Sequence, residues 1–224
     1  MTEYTLTRSN RKTIALYIRN GIVDVRAPHR TPKCDIDRFV DSKEGWIKDK
    51  LALSTAQTKQ RDSFSLAYGD NITYCGKQYI IAQREGAHIG FDGDCFYMPP
   101  NLTPEQIKYA CVSIYRMLAK RDLTKKALTY AKEMSVMPSA VKINGAKQRW
   151  GSCSAKKSVN FSWRLIMADD DVIDYVVVHE LAHIMELNHS PRFWAVVQSV
   201  LPDYAQRKEK LVELQNKLGG EDWD

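Results

Sequence analysis

The chain has 224 residues, with 33 Lys and Arg against 27 Asp and Glu, a formal net charge of +6. That length accommodates one large or two small domains with a real core, and 44% apolar with 27% charged residues is an ordinary composition for a soluble globular protein. No apolar run reaches the length of a membrane span, and MTEYTLTRSNRKTIALYIRN, with charge mixed throughout, lacks the apolar region and cleavage site expected of a secretory leader.

The basic excess is uneven. Between Arg8 and Lys33 stand seven Lys or Arg and one acid, Asp24. This stretch is either a solvated basic surface or a face for nucleic acid. The five cysteines, Cys34, Cys75, Cys95, Cys111 and Cys153, are odd in number and form no C-x-x-C pair. They read as reduced thiols of a cytoplasmic protein.

Ile14, Leu16 and Ile18 alternate with Thr13, Ala15 and Tyr17, and Asn20-Gly21 offers a type I′ turn into a returning strand through Val23, Val25 and Ala27. From Asp35 to about Leu53, the spacing of Ile36, Phe39, Val40, Trp46, Ile47 and Leu51 predicts one amphipathic helix. Two hairpins come next, turning near Cys75-Gly76 and near Asp92-Gly93, and Pro99-Pro100 closes this β-rich part. Thr103-Pro104-Glu105-Gln106 is a capping box with proline at the first helical position, opening a helix to about Met134. Two extended runs then meet at a lysine-containing turn, and the second is expected to continue as a half-buried strand through Val159, Phe161, Trp163 and Leu165. Asp169 to Asp171 offer N-caps for the next helix. The expected organisation is α+β, with a β-rich N-terminal domain over residues 1–100 and a second domain over 101–224.

That next helix carries VVVHELAHIMELNHSPRFW, residues 176–194, with three of the five histidines. His179 and His183 lie four apart, on one helix face, and Glu180 sits about a third of a turn away. This is H-E-x-x-H, in which two imidazoles hold Zn2+ and the glutamate serves as general base. Neutral imidazoles leave the ion its full charge, so it can acidify a water that a nearby carboxylate deprotonates. The flanks Val176, Val177, Leu181, Ala182, Ile184 and Met185 are uncharged, as a buried metal-binding helix needs. The bland alternative is a core helix with satisfied histidines. A catalytic zinc takes three protein ligands, and two candidates remain: His189, ten residues after His179, and Glu186, seven after it. Glu186 is badly placed along the axis to close a tetrahedron. His189 needs a sharp turn, for which Asn188 is the expected left-handed helix stop, and Ser190-Pro191 then caps a helix that ends at Pro202.

RWGSCS at 149–154, WRLI at 163–166, YVVVHELAH at 175–183, NHSPRFW at 188–194 and LPDY at 201–204, with RKTIALYIRNG and VRAP earlier, are similar to the YgjP-like family of zinc metallopeptidases, related to the SprT-like and WLM groups. The resemblance implies a zincin-like catalytic half with zinc on His179, His183 and His189, Glu180 as base, and a β-hairpin edge over the HExxH helix, made by KQRWGSC and VNFSWRL, to which substrate adds.

Basic residues are dense around that hairpin: Lys147, Arg149, Lys156, Lys157, Arg164 and Arg192. Arg164 reads either as an oxyanion or phosphate contact in catalysis, or as a structural partner of the acids at 169–171. Trp150 and Trp163 read as core, Tyr204 as packing rather than a proton donor, Cys153 as a small inert residue, and Leu211, Leu214 and Leu218 as a helix stripe. Three function classes are compatible with these residues. The first is a zinc-dependent peptidase. The second is a hydrolase of nucleotide phosphoanhydrides with the same metal. The third is a non-catalytic, zinc-stabilised nucleic-acid module, weakened because structural zinc sites are closed by four protein ligands.

Overall fold

The computed structural model describes residues 2–19, 21–86 and 88–223. The chain forms two compact units, one reaching from the N-terminus to Phe64 with Lys217–Asp222, the other covering Ser65–Asn216 with Trp223. The boundary therefore falls after Phe64, whereas the sequence pointed to Pro99-Pro100. The strands between these two points pack with the long helix C-terminal to them: Tyr115 donates a hydrogen bond to Thr73 O at 2.7 Å, and its ring packs 5.2 Å from that of Phe96.

In the first unit, β1 (Thr5–Ser9) pairs parallel with β3 (Ile22–Pro28), and β2 (Ala15–Arg19) pairs antiparallel with β3 from Ala15↔Arg26 to Arg19↔Ile22. Gly21 supplies the positive φ, 74°, that a two-residue turn requires; Asn20, the other expected turn residue, lies outside the described residues. Val23, Val25 and Ala27 face inward as their alternation dictates, against Ile36, Val40 and Ile47. The expected single helix is two, α1 (Lys33–Asp41) and α2 (Glu44–Asp62). At the break the Ser42 hydroxyl donates to Phe39 O and Lys43 N–H reaches only to Val40 O, so local hydrogen bonds compete with the helical ladder. The basic stretch is partly consumed internally. Arg8 donates to the carbonyls of Pro28, His29 and Thr31, and Arg26 pairs with Asp24 at 3.0 Å.

In the second unit a four-stranded sheet is ordered β4 (Asn71–Tyr74), β5 (Lys77–Gln83), β7 (Cys95–Met98), β6 (Gly90–Phe91), with both expected hairpins formed and β5 parallel to β7. Helix α3 (Pro104–Glu133) starts on the capping box, Thr103 N–H donating to Gln106 Oε1 at 2.8 Å and Gln106 N–H to Thr103 Oγ1 at 3.4 Å. A second sheet has the order β8 (Ala140–Asn144), β10 (Ser158–Ser162), β9 (Gly151–Cys153), so β9 is an edge. The chain does not stay extended through Leu165. Trp163–Met167 turns into a 3-10 segment with all five residues buried, because Trp163 stacks on Tyr115 of α3 at 5.8 Å and cannot remain in the plane of the sheet. Helices α4 (Asp170–Ala182), α5 (Pro191–Val200) and α6 (Tyr204–Leu218), the last as far as Asn216, complete the unit. Leu211, Leu214 and Leu218 are half-buried along α6. No helix among the described residues is long and apolar enough to cross a membrane.

The β4–β5 hairpin is pinned to the start of α4. Cys75 N–H donates to Ile166 O at 2.8 Å, and Gly76, at φ 75°, lies so close to Asp169 that a Cβ there would stand 3.0 Å from its Cα. Gly76→Ala thus adds a steric clash to a strained φ, and we expect a loss of about 2 kcal/mol. Gly21→Ala, with an equally positive φ but open space around it, should lose about 1 kcal/mol. Urea titrations of both variants measure the difference, and equal losses would remove the Asp169 contact as a cause.

Candidate metal centre

Helix α4 is apolar nearly all round, with Val172, Ile173, Tyr175, Val176, Val177, Val178, Leu181 and Ala182 buried. A helix of that kind is covered on most sides, here by α3, α5 and β9. Its N-terminal turns are held by charge: Lys126 of α3 bridges Asp170 and Asp174 at 3.0 and 2.6 Å, and Lys210 of α6 meets Asp171 at 2.7 Å. The helix ends at Ala182, one turn earlier than a stop at Asn188 implies. Ile184, Met185 and Glu186 N–H groups reach back to Leu181 and Ala182 carbonyls as a closing turn. Asn188 is not in the left-handed region; its carbonyl accepts Ser190 N–H at 2.7 Å instead. The chain reverses over residues 183–189, and α5 opens on Ser190, whose hydroxyl accepts Phe193 N–H, with Pro191 next.

This reversal brings His189 back to the first two histidines. The candidate donor atoms of His179, His183 and His189 lie within 4.8 Å of one another, and His179 Nε2 is 3.0 Å from His189 Nε2. Nitrogens about 2.0 Å from one tetrahedral ion sit about 3.3 Å apart, so the cluster fits such an ion. Each ring is held in place. His183 Nδ1 donates to Glu186 O at 3.1 Å, since a carbonyl only accepts; this fixes the tautomer and leaves Nε2 as the donor. Phe193 packs against all three rings, and Trp194 stacks on His189 at 5.7 Å and on Tyr204 at 5.3 Å. Tyr204 therefore packs rather than facing the histidines as a donor. The backbone carbonyl at 186 and the Trp194 stack carried no sequence signal, apart from the aromatic pair in the SPRFW cap.

The electrostatics suit a cation. Burial first, then the neighbouring His183 and His189, pull His179 down to about 3, and burial lowers His183 as well. Both rings are thus neutral and ready to donate a lone pair. His179 Nδ1 is buried without a hydrogen-bond partner among the described residues, and it is Nε2 that faces His189. Glu180 is buried and pushed up to about 7, by burial alone. Its carboxyl abuts β9, where Cys153 is also raised, by burial and by the charge of Glu180, which leaves it an inert thiol.

The remaining candidates lie outside the histidine cluster. Arg164 is buried in the 3-10 segment, its Nη1 donating to Gly145 O at 3.0 Å and its guanidinium 4.5 Å from the Trp163 ring centre. Ser162 Oγ pins the adjacent Ala146 O at 2.7 Å. Trp163 is core and Trp150 half-buried. Lys156 and Lys157 are exposed at the β9–β10 turn, and Arg149 and Arg192 are also exposed.

Residues 12–214 match the family model described as YgjP-like, metallopeptidase domain. No curated protein matches the chain. Among the solved structures that resemble part of it are two metallopeptidase zymogens. The metallopeptidase zymogen abylysin of Pyrococcus abyssi is 21% identical at TM-score 0.38, covering 44% of this chain and 97% of its own. The metallopeptidase zymogen jannalysin of Methanocaldococcus jannaschii is 20% identical at TM-score 0.38, covering 41% and 95%.

The geometry of the cluster can be tested in two ways. Because Glu186 contributes its carbonyl, Glu186→Ala should bind zinc as tightly as the parent, whereas His189→Ala should weaken it at least 10²-fold in competition with a chelating dye. A parent-like His189→Ala would move the third ligand elsewhere. The second test concerns the metal-free chain. The folded state raises Glu180 from 4.5 to about 7, so the neutral acid is favoured. The stability it contributes is complete below pH about 4.5 and is lost as pH rises through about 7, a loss of about 3 kcal/mol. Glu180→Gln stays neutral, so in EDTA it should be more stable than the parent at pH 8 and equal to it at pH 4.5. Urea midpoints that do not diverge with rising pH would contradict this burial.

Proposed function

This chain belongs to the YgjP-like metallopeptidases, and we propose that it is a zinc-dependent peptidase in which His179, His183 and His189 hold the ion and Glu180 is the general base. The observation that carries the reading is the convergence of three imidazoles, two of them kept neutral by burial, beside a buried glutamate that abuts an edge strand. Three histidines leave a coordination position open, as a catalytic site requires and a structural site does not. Zinc held there would supply Lewis acidity, able to polarise a scissile carbonyl and to acidify a water.

The chain's own groups do the rest. Glu180, with an affinity for protons near neutrality, takes a proton from the attacking water and returns it to the departing amine. β9 bonds β10 on one side only, so the opposite edge of β9 is open to an extended peptide as a further antiparallel strand. Such main-chain pairing fixes the direction of the peptide and leaves its side chains to be read separately. The Arg164 guanidinium, engaged with Gly145 O, holds the loop leading into β9 and thereby sets the height of that edge. The exposed lysines of the β9–β10 turn serve solubility.

The test is the zinc-loaded chain incubated with a mixed peptide library and read by mass spectrometry. Cleavage should appear, and Glu180→Gln should retain one zinc ion per chain while its turnover drops by about 10²-fold or more. Loss of zinc by Glu180→Gln, or turnover near that of the parent, would remove Glu180 from the role of base.

A further inference from the structure

The carboxyl of Glu180 lies against bare main chain. A Cβ built on Gly151, in β9, would stand 2.6 Å from Glu180 Cγ, 2.8 Å from Oε1 and 2.9 Å from Cδ. Two carbons in van der Waals contact sit about 3.5–4.0 Å apart, so all three positions are sterically forbidden. The conformation at Gly151 is not the reason for glycine there, since its φ is not in the left-handed region. What matters is the volume.

The main chain on both sides of the contact is held. β9 is tied to β10 through the pair Gly151↔Phe161, and Phe161 is fully buried. The loop before β9 is pinned by Ser162 and Arg164 through the carbonyls of Ala146 and Gly145. Glu180 itself is only 7% exposed, on a helix whose neighbouring residues are core. The softest element is the Glu180 side chain, and a methyl at residue 151 would displace its carboxyl by about 1 Å, the gap between 2.6 Å and an ordinary contact.

We propose that Gly151 is a positioning residue for the general base: its missing side chain leaves the volume that the Glu180 carboxyl occupies, and the β9 main chain is the wall that sets where the carboxyl stops. This rests on the reading of Glu180 as base. The histidines are not involved in the contact, so Gly151 governs the base without governing the metal. A displacement of about 1 Å in a reacting group costs on the order of 10²-fold in rate.

The experiment compares four zinc-loaded full-length proteins: the parent, Gly151→Ala, Glu180→Ala and the double variant. Each is measured for zinc stoichiometry, for thermal midpoint, and for kcat and KM on a peptide that the parent cleaves. Gly151→Ala should keep its zinc, keep KM, lose about 10- to 100-fold in kcat, and melt below the parent. In the Glu180→Ala background the three atoms nearest to that methyl are gone, so the melting point should hold or rise, as glycine replacement in a strand ordinarily allows. It should also add nothing to the kcat loss. Equal melting-point losses in both backgrounds would overturn the proposal, because the methyl would then be meeting something other than the carboxyl. So would a Gly151→Ala variant with the kcat of the parent, or one that sheds its zinc. Failure of the peptidase reading has a different signature: a parent with no peptide turnover whose melting points still show the Gly151–Glu180 coupling.

Discussion

An imidazole donates a lone pair to a cation only while it is neutral, and an apolar environment keeps it neutral at the expense of its solvation. That trade governs how the second unit is built. His179 can be held down to about 3 only if the helix bearing it is enclosed, so α4 is apolar on nearly every side and α3, α5 and β9 close around it. Enclosure in turn leaves the charged start of the helix to be satisfied locally, which the Lys126 and Lys210 bridges to Asp170, Asp174 and Asp171 do. The same enclosure raises Glu180. One condition, burial, therefore moves the Glu180 carboxyl and the neighbouring His179 imidazole in opposite directions along the pH scale, each toward its neutral form.

The surroundings of the cluster are made largely from main chain. A carbonyl orients His183, the glycine backbone of β9 faces Glu180, and the carbonyls of Gly145 and Ala146 anchor the approach to that strand. Aromatic rings supply the rest, with Phe193 touching all three imidazoles and Trp194 stacked on His189. Rings and main chain have few internal degrees of freedom, so they fix a constellation at low entropic cost.

What could be read from the sequence was what local chemistry determines. The capping box at Thr103, the Cys75-Gly76 and Asp92-Gly93 turns, the Ser190-Pro191 start and the i, i+4 histidines each depend on a handful of adjacent residues, and each appears in the fold. What was misread or went unread depended mostly on partners far away in sequence. Trp163 leaves the strand because Tyr115 awaits it. The strand β1, polar on much of its length, exists because β3 offers it a parallel ladder. The contact of Gly151 with Glu180 joins residues 29 apart whose proximity nothing in either segment announces, whereas the helix end at Ala182 rather than Asn188 is local, closed by the Ile184, Met185 and Glu186 N–H groups on the Leu181 and Ala182 carbonyls.

The partner chosen for His183 has an electronic consequence. A ring whose Nδ1–H points at a carboxylate is pushed toward imidazolate character and becomes a stronger σ-donor, which tightens its grip on an ion and dulls the ion's electrophilicity. Here the acceptor is the uncharged Glu186 carbonyl, so the ring is polarised only slightly and passes less electron density inward. The imidazole cluster itself contains no carboxylate among the described residues, so an ion held by these three rings alone would meet a charge-neutral set. The full double positive charge of a bound divalent ion would then be turned outward, to the open side of the centre.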